Sequence, residues 1–228
     1  MGTGDVLSVI VPTRNEGGML LRGLAALTGV PGVDEVVVAA WGERAAVRRR
    51  AERCARLRWV ECPDAGRGAQ LNRGAAAARG TLLLFLHADT RLPPDAARAV
   101  RRAIARPDVA GGGFRLAFDA THPALRLLER LSALPWRMAF FGDQGFFCRR
   151  ADFVAVGGYP ELPFLEDVGL ARRLAGRGRL VRLPDRALTS ARRFLAAGPW
   201  RQLAINAAIV TLHGAGVPAA VLARFYRP

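Results

Sequence analysis

Residues 80–91 read GTLLLFLHADTR and form the most informative stretch of the chain. Five uncharged, apolar side chains in a row, residues 82–86, predict a strand that is buried on both faces. The run ends abruptly at His87 and Asp89. Ligands of open α/β sheets bind beyond the carboxyl ends of the strands, where a carboxylate is well placed to hold a divalent metal against a phosphate. From this segment alone, capping of the helix that starts near Pro93 is an equally good interpretation of Asp89.

Strand-like runs alternate with helix-like runs through the first half of the chain. Strands are predicted at residues 6–11, 35–40, 57–61 and 82–86, and helices at residues 16–27, 43–56, 70–79 and 94–105. Four such β–α units favour an α/β protein with a parallel, doubly wound sheet. The less regular second half predicts a strand at 111–118, a glycine- and aromatic-rich segment at 140–149, and helices at 122–134 and 166–175.

The simplest domain organisation is one domain with a helical appendage. We expect residues 1–185 to form the body and residues 186–228 to pack on it as helices, because no linker, repeat or low-complexity tract separates them. Within the body, residues up to about 92 carry the regular β–α units, and residues 93–185 form the second half.

The charge of the chain is strongly positive. The net charge is +15 over 228 residues, and all 34 basic residues are arginine. Such a surface attracts anions such as nucleotide diphosphates, nucleic acid or acidic lipid headgroups. Nucleic-acid binding is the weakest of these expectations, because the arginines are spread over many segments and no basic motif interleaved with aromatic residues occurs.

Cysteine usage and hydropathy bear on the compartment. The three cysteines are odd in number and lack zinc-type spacing, which suits a reducing cytosol. The N-terminal apolar run is too short for a signal peptide, and polar or helix-breaking residues interrupt the apolar residues 203–223. We therefore expect a cytoplasmic protein, and a peripheral contact with the cytoplasmic face of a membrane stays open.

Further polar clusters stand at predicted strand–helix junctions. PTRNE at residues 12–16 offers free backbone N–H groups to a ligand, although a helix cap at Thr13 or Asn15 explains it as well. AGRGAQLN at residues 65–72 lets the backbone approach a ligand closely, with Arg67 available for a base or phosphate. It is not a dinucleotide fingerprint, because Leu71 replaces the third glycine.

A pair of adjacent carboxylates, Glu166 and Asp167, stands at the start of a predicted helix. Capping of the helix dipole is one explanation, and deprotonation of a sugar or lipid hydroxyl is the other. Between this pair and the earlier clusters lies GDQG at residues 142–145, whose polar residues are framed by glycines and suggest a pocket wall.

Taken together and in this order, the clusters resemble the family 2 glycosyltransferases of the GT-A fold, in particular a bacterial subgroup of short, single-domain members. The resemblance extends over nearly the whole chain. Its matching pieces are residues 8–12 with Asn15 and Glu16, residues 66–68 with Gln70 and Asn72, and residues 85–90, 142–144, 157–158 and 166–167.

The resemblance implies a GT-A-type doubly wound mixed sheet flanked by helices, and it assigns roles to the clusters. The residues implied to bind the donor nucleotide are Pro12, Thr13, Asn15 and Glu16, with Arg67 and Asn72 on the base and ribose side. Asp89 matches the carboxylate that binds the metal of the donor diphosphate. Asp167 matches the catalytic base, Glu166 orients the acceptor, and Asp143 and Gln144 face the donor sugar and acceptor.

The implied reaction is a single, inverting displacement at the anomeric carbon of a nucleotide-diphospho-sugar. Asp167 takes the acceptor proton, and Mg²⁺ or Mn²⁺ on Asp89 offsets charge on the departing diphosphate. The acceptor is not identified, and the apolar C-terminal helices hint at a lipid-like one. A nucleotidyltransferase is an alternative that shares the doubly wound sheet.

Two residues depart from the family pattern. His87 stands at the first aspartate of the family's Asp-x-Asp motif, so we expect it to touch the diphosphate or to lie behind Asp89. Ala40 stands where the family has an aspartate that holds the base and ribose, so one donor contact is missing. Trp41 or Glu43 is available near this position. The missing contact favours a second interpretation, a degenerate GT-A domain that binds a nucleotide or a partner without catalysis.

Overall fold

The computed structural model describes residues 5–63, 66–134 and 142–224. The strands are β1 (Leu7–Arg14), β2 (Glu35–Trp41), β3 (Leu57–Glu61), β4 (Leu82–Phe85), β5 (Thr90–Arg91), β6 (Val109–Phe118), β7 (Phe146–Arg149) and β8 (Arg179–Thr189). The helices are α1 (Gly18–Thr28), α2 (Ala45–Ala51), α3 (Arg67–Ala77), α4 (Ala96–Ile104), α5 (Pro123–Ser132), α6 (Arg150–Ala155), α7 (Glu166–Ala175), α8 (Arg192–Ala197), α9 (Pro199–Gly214) and α10 (Ala219–Leu222), with a 3₁₀ turn at Gly142–Gln144.

The strands form one mixed, eight-stranded sheet in the order β3-β2-β1-β4-β7-β6-β8-β5. The first four are parallel to one another, as the β–α alternation predicts. β7 then runs antiparallel to both β4 and β6, β8 is parallel to β6, and β5 is antiparallel to β8. The predicted doubly wound mixed sheet with C-terminal helices is therefore confirmed.

The apolar run of β4 explains how the two faces of the sheet are covered. Leu82 and Leu84 face one core, which α1 and α4 close, while Leu83 and Phe85 face a second core closed by α3, α6 and α7. Successive side chains of a strand point to opposite faces, so only a strand buried on both sides needs four apolar residues in a row. This burial holds the carboxyl end of β4 in place.

Several element boundaries differ from the sequence-based prediction. β1 runs to Arg14 because Pro12 and Thr13 pair with residues 39 and 40 of β2, so both lie in the strand and not in a turn. The predicted helix over 43–56 is the shorter α2, and the chain turns after it with a positive φ at Arg56. β8 runs through residue 185, so the expected start of the helical appendage falls inside a strand.

Some predictions fall on residues outside the described ranges. Residues 64–65 of the glycine-containing cluster and residues 140–141 of the aromatic segment are among these. The described part of that segment forms the 3₁₀ turn and β7.

Candidate active site

The carboxyl ends of β1, β2 and β4 meet the N-terminal ends of α3 and α7 at one edge of the sheet. α3 brings Arg67 to this edge, and the first turn of α7 brings Glu166 and Asp167. The turn after β4 brings His87 and Asp89. The structure thus gathers residues from three separate sequence clusters.

Arg67 is the centre of a buried charge cluster. Its Nε lies 3.1 Å from Oε1 of Glu166, and its Nη2 lies 3.8 Å from Oδ2 of Asp167. Both carboxylates are buried. Burial by itself lowers the pKa of Arg67, but the charges of Asp167 and Glu166 outweigh it and the pKa is raised above its usual value. The guanidinium is therefore a permanent cation beside the two carboxylates.

His87 contacts the same guanidinium through its Nε2. An arginine N–H can only donate, so Nε2 is the acceptor and the ring proton lies on Nδ1. Burial, followed by the positive charges of Arg67 and Arg193, lowers the pKa of His87 well below its usual value. His87 is thus a neutral imidazole at physiological pH.

Asp143 and Tyr159 border the charge cluster. Burial and then the charge of Asp167 raise the pKa of Asp143 to about 6, and Asp89 adds to the effect. Burial, with a further contribution from Asp167, raises the pKa of the Tyr159 hydroxyl well above its usual value. Asp143 Oδ1 and the Tyr159 hydroxyl are buried and have no hydrogen-bond partner among the described residues.

A second carboxylate pair, Glu16 and Asp89, lies beside the turn after β4. Burial, followed by the charge of Asp89, raises the pKa of Glu16. Glu16 Oε2 and Asp89 Oδ1 are buried, and neither has a hydrogen-bond partner in the part of the chain that the structure describes. Arg193 of α8 places its Nη2 3.7 Å from Asp89 Oδ2 and 3.9 Å from Glu16 Oε1.

A cavity of about 240 Å³ opens beside Asp89, between α1, the end of β8 and the start of α8. Its charged lining residues are Arg22, Arg91 and Arg192, which outnumber Asp89 and Asp119. This charge makes the cavity suited to an anionic group.

Glu43 fastens the loop after β1 to the loop after β2. Its Oε1 accepts hydrogen bonds from Thr13 Oγ1 at 2.7 Å and from the backbone N–H of Glu16 at 2.6 Å, and its Oε2 accepts one from the N–H of Gly17 at 3.3 Å. The last two donors belong to the turn that leads into α1, where a carboxylate is stabilised by the helix dipole. The sequence offered Glu43 only as a substitute donor contact.

Asn72 and Gln70 of α3 bind backbone groups. The side chain of Asn72 donates to the carbonyl of Tyr159 at 3.0 Å and accepts from its N–H at 2.9 Å. Gln70 donates to the carbonyls of Thr13 and Ala39. These bonds hold β1, β2 and the turn before α7 against α3, which places the site around Arg67.

Two backbone features set the approach of α7 to α3. A Cβ at Gly68 would lie 2.9 Å from the carbonyl oxygen of Pro160, so a glycine is needed where the two helices meet. Leu165, directly before the carboxylate pair, has a φ of 61°, which is strained for a branched side chain. This turn directs Glu166 and Asp167 inward.

The end of β2 is apolar at the position where the sequence predicts a missing donor contact. Ala40 is fully buried at the end of β2 and carries no polar atom. The next residue, Trp41, is half-buried and lies under Arg14, whose guanidinium carbon is 3.9 Å from the ring centroid. Asn15, with a φ of 54°, lies against Gly42.

Sequence reasoning missed residues whose partners are distant in the chain. Arg182 of β8 donates to Gln144 Oε1 and to the carbonyl of Phe114, and burial lowers its pKa to about 10. The sequence likewise did not indicate Arg193 or Tyr159 as site residues. An isolated arginine or tyrosine gives no motif, so only the fold brings these side chains to the site.

Comparison with known proteins supports the fold. The mannosyltransferase PcManGT from Pyrobaculum calidifontis, solved with GDP-Man and Mn²⁺, superposes with a TM-score of 0.65 at 22% identity, covering 81% of this chain and 56% of that one. S. aureus TarS 1–349 superposes with a TM-score of 0.63 at 17% identity, covering 91% of this chain and 65% of that one. The same protein with UDP-GlcNAc gives 0.63 over 81% and 58%. The fold is thus of the GT-A type, and the chain spans less than two thirds of these proteins.

The sequence profile of the family Glycosyl transferase family 2 matches residues 8–158, about two thirds of the chain. The chain therefore belongs to glycosyl transferase family 2, as its ordered clusters predict. No curated protein matches it significantly.

Proposed function

We propose that the protein transfers a sugar from a nucleotide-diphospho-sugar to an acceptor hydroxyl, with inversion at the anomeric carbon. One observation carries the proposal. Two charged groups lie at the same sheet edge: the carboxylate pair Glu16–Asp89 and the cluster of Arg67, Glu166 and Asp167. Charges from both groups, those of Asp167 and Asp89, raise the pKa of Asp143. One cluster would bind the diphosphate and the other would activate the acceptor.

The proposed step is a direct displacement. Asp167 accepts the proton of the acceptor hydroxyl while the oxygen of that hydroxyl forms a bond to the anomeric carbon. The bond from that carbon to the diphosphate oxygen breaks, and the diphosphate leaves with the electron pair. Arg67 contacts both Glu166 and Asp167 and keeps positive charge beside the reacting groups, and Glu166 orients the acceptor.

The residues at Asp89 fit a divalent metal. Asp89 Oδ1 and Glu16 Oε2 are buried acceptors without hydrogen-bond partners among the described residues. The Arg193 guanidinium lies near both carboxylates, so this position already accommodates a positive charge such as that of a metal ion. In the described ranges no three His, Cys, Asp or Glu side chains converge as a metal site. Mg²⁺ is commonly held by one or two carboxylates plus substrate phosphates and water. Bound Mg²⁺ or Mn²⁺ would offset the charge of the leaving diphosphate.

The donor contacts proposed for this chain follow the sheet edge. The nucleotide site would be lined by Pro12, Thr13, Asn15 and Glu16. His87 would lie near the diphosphate, and Arg67 would lie on the nucleobase and ribose side. The hydrogen bonds of Asn72 to Tyr159 support a role in shaping this wall and not in touching the donor. The structural neighbours were solved with GDP-Man and with UDP-GlcNAc, which makes these two nucleotide sugars the first donors to test.

The acceptor side is proposed to lie at Asp143 and Gln144. Burial is the main cause that raises the pKa of Asp143 to about 6, so its carboxyl would be protonated part of the time near neutral pH. In that form it would donate a hydrogen bond to a sugar oxygen. We propose that the acceptor is lipid-like. We also propose that the protein is cytoplasmic and that residues 1–185 form the transferase body.

Donor turnover in the presence of Mn²⁺ or Mg²⁺ tests the proposal. We expect the full chain to release a nucleoside diphosphate from at least one nucleotide sugar, and Asp167→Asn to lose more than 100-fold of that rate, in the range of a missing general base (about 10²–10⁴). Asp95→Asn is the matched control, because Asp95 is an exposed carboxylate at the start of α4. Equal rates in both variants would exclude Asp167 as the base.

A second candidate function is nucleotide binding without catalysis. Buried, apolar Ala40 at the end of β2 supports it, as does Glu43, whose carboxylate already holds three donors. Metal-dependent nucleotide binding by a chain that turns over no donor would favour this candidate.

A further inference from the structure

Exposed apolar side chains are concentrated on the helices α5, α8, α9 and α10. Of the nine large apolar side chains exposed in the described ranges, six lie on these helices, a seventh lies two residues after the end of α5, and Val6 and Val154 lie elsewhere. The seven others are Leu127, Leu131, Leu134, Leu195, Trp200, Leu212 and Val221. Leu127 and Leu131 are four residues apart in α5 and so lie on the same side of that helix.

α9 presents an uncharged face to solvent. Arg201 is its one charged residue, and of its 16 residues, all of which the structure describes, only Ile209 is buried. Trp200 is 57% exposed. The other exposed positions of α9 are mainly alanine, threonine and leucine, at residues 204, 207, 208, 211 and 212. Apolar residues on nearly all sides are typical of a buried helix, so this face calls for a partner.

α5 and α9 belong to the same helical layer. They contact each other, and the rings of His122 and Trp200 are 6.2 Å apart. α10 packs on α9, and a cavity of about 190 Å³ between them is lined by aliphatic residues that include the exposed Leu212. We call Leu127, Leu131, Trp200 and Leu212 the C-terminal apolar surface.

Positive charge surrounds the C-terminal apolar surface. Residues 186–228 contain six arginines and no aspartate or glutamate, although Arg192 and Arg193 lie at the candidate active site. Arg126 and Arg130 are exposed beside the leucines of α5, and Arg201 is exposed next to Trp200. A symmetric contact with a second copy would bring these arginines together and repel, whereas anionic lipid headgroups would neutralise them.

We propose that the C-terminal apolar surface docks on a bilayer that contains anionic lipid. Leu127, Leu131 and Trp200 enter the boundary between headgroups and acyl chains, and the arginines contact the headgroup phosphates. In the described ranges no helix is long and apolar enough to cross a membrane, so the contact lies in the surface plane.

The surface lies one short helix away from the candidate active site. α8, which precedes α9, places Arg193 on Asp89 and Glu16. Docking would therefore hold the site near the bilayer, where a lipid-borne acceptor hydroxyl is found. This statement about the acceptor rests on the proposed function, whereas the docking itself does not.

Vesicle flotation of the full chain tests the proposal. We expect the chain to float with vesicles of phosphatidylcholine and phosphatidylglycerol, to stay behind with phosphatidylcholine alone, and to be released by high salt. Leu131→Gln and Trp200→Gln should each weaken binding about tenfold, the effect of losing one buried apolar side chain. Val154→Gln is the matched control, because Val154 is exposed on α6, away from this surface. Circular dichroism and light scattering of each variant without lipid verify folding and oligomeric state.

Three results would overturn the proposal: no flotation of the wild type, wild-type flotation of both variants, or self-association that Trp200→Gln abolishes while vesicle binding is absent. The last result would identify a second copy as the occupant. A chain that binds a nucleoside diphosphate but does not float would refute the docking alone. A chain that floats but neither binds nor turns over any donor would refute the proposed function alone.

Discussion

Arg67 determines the electrostatics of the candidate active site at the scale of single residues. The resemblance placed it at the base and ribose, but in the structure it contacts Glu166, Asp167 and His87. Its charge lowers the pKa of Glu166, which burial and Asp167 raise, and it also lowers the pKa of His87. The charge of Arg67 thus opposes the rise in the pKa of Glu166 and adds to the lowering of the pKa of His87 that burial causes.

Arg67→Gln should shift the pH dependence of turnover. Without the cation, the pKa of Glu166 rises further, so Glu166 releases its proton only at higher pH. The acidic limb of the kcat profile should move up by about one pH unit, the usual effect of losing an opposite charge at this distance. Arg67→Lys keeps the charge and should retain most of the wild-type profile. An unchanged profile in Arg67→Gln would show that Arg67 does not act on the base.

Asp143 should make stability depend on pH. Its pKa in the folded protein is about 6, above its usual value of 3.8, so its stabilising contribution is full below 3.8 and is lost as the pH rises through about 6. The free energy of unfolding of the wild type relative to Asp143→Asn should therefore be greater at pH 5 than at pH 8, by about 1 kcal/mol. Urea denaturation at the two pH values measures this difference. A constant difference between the wild type and Asp143→Asn at the two pH values would contradict the burial of the Asp143 carboxyl.

At the scale of elements, the site depends on loops that are fastened to each other. Glu43 holds the turn between β1 and α1, and Asn72 holds the turn before α7. The residues of these contacts are 27 and 87 positions apart. Motif and periodicity arguments do not reach over such separations.

Glu43→Gln should loosen the donor side. It removes the charge that accepts bonds from Thr13 and from the N–H groups of Glu16 and Gly17, so we expect a loss of about 1–3 kcal/mol in the free energy of unfolding. The KM for the donor should rise more than kcat falls. Glu52→Gln is the control, because the pair of Glu52 with Arg48 is exposed to solvent and such surface pairs contribute little to stability. Equal effects of the two substitutions would refute this role of Glu43.

The predictable elements are those that local signals specify. The apolar runs of β1, β2 and β4 and the carboxylate start of α7 were identified, because strand burial and helix capping leave a mark within a few residues. β7 and β8 were missed as strands. β7 contains glycine-flanked aromatics, and β8 contains charged residues and a proline, and their pairing with β4 and β6 is known only from the fold.

At the scale of the whole molecule, the order of the sheet explains why the sequence clusters meet. β1 lies between β2 and β4, so the three strand ends that carry Thr13, Ala40 and the His87–Asp89 turn are neighbours. The antiparallel β7 then brings the turn at Gly142–Gln144 to the same side. Arg193 joins the positively charged C-terminal helices to this edge. Among the described residues of those helices, it is the one that pairs with Asp89 and Glu16.

Calorimetric titration of GDP and UDP in the presence of Mn²⁺ tests most directly whether these clusters form one glycosyl-transfer site. We predict that the wild type binds at least one of the two nucleotides only when the metal is present, that Asp89→Asn loses this binding, and that Asp167→Asn retains it while losing turnover. Nucleotide binding that ignores the metal and survives Asp89→Asn unchanged would contradict the account.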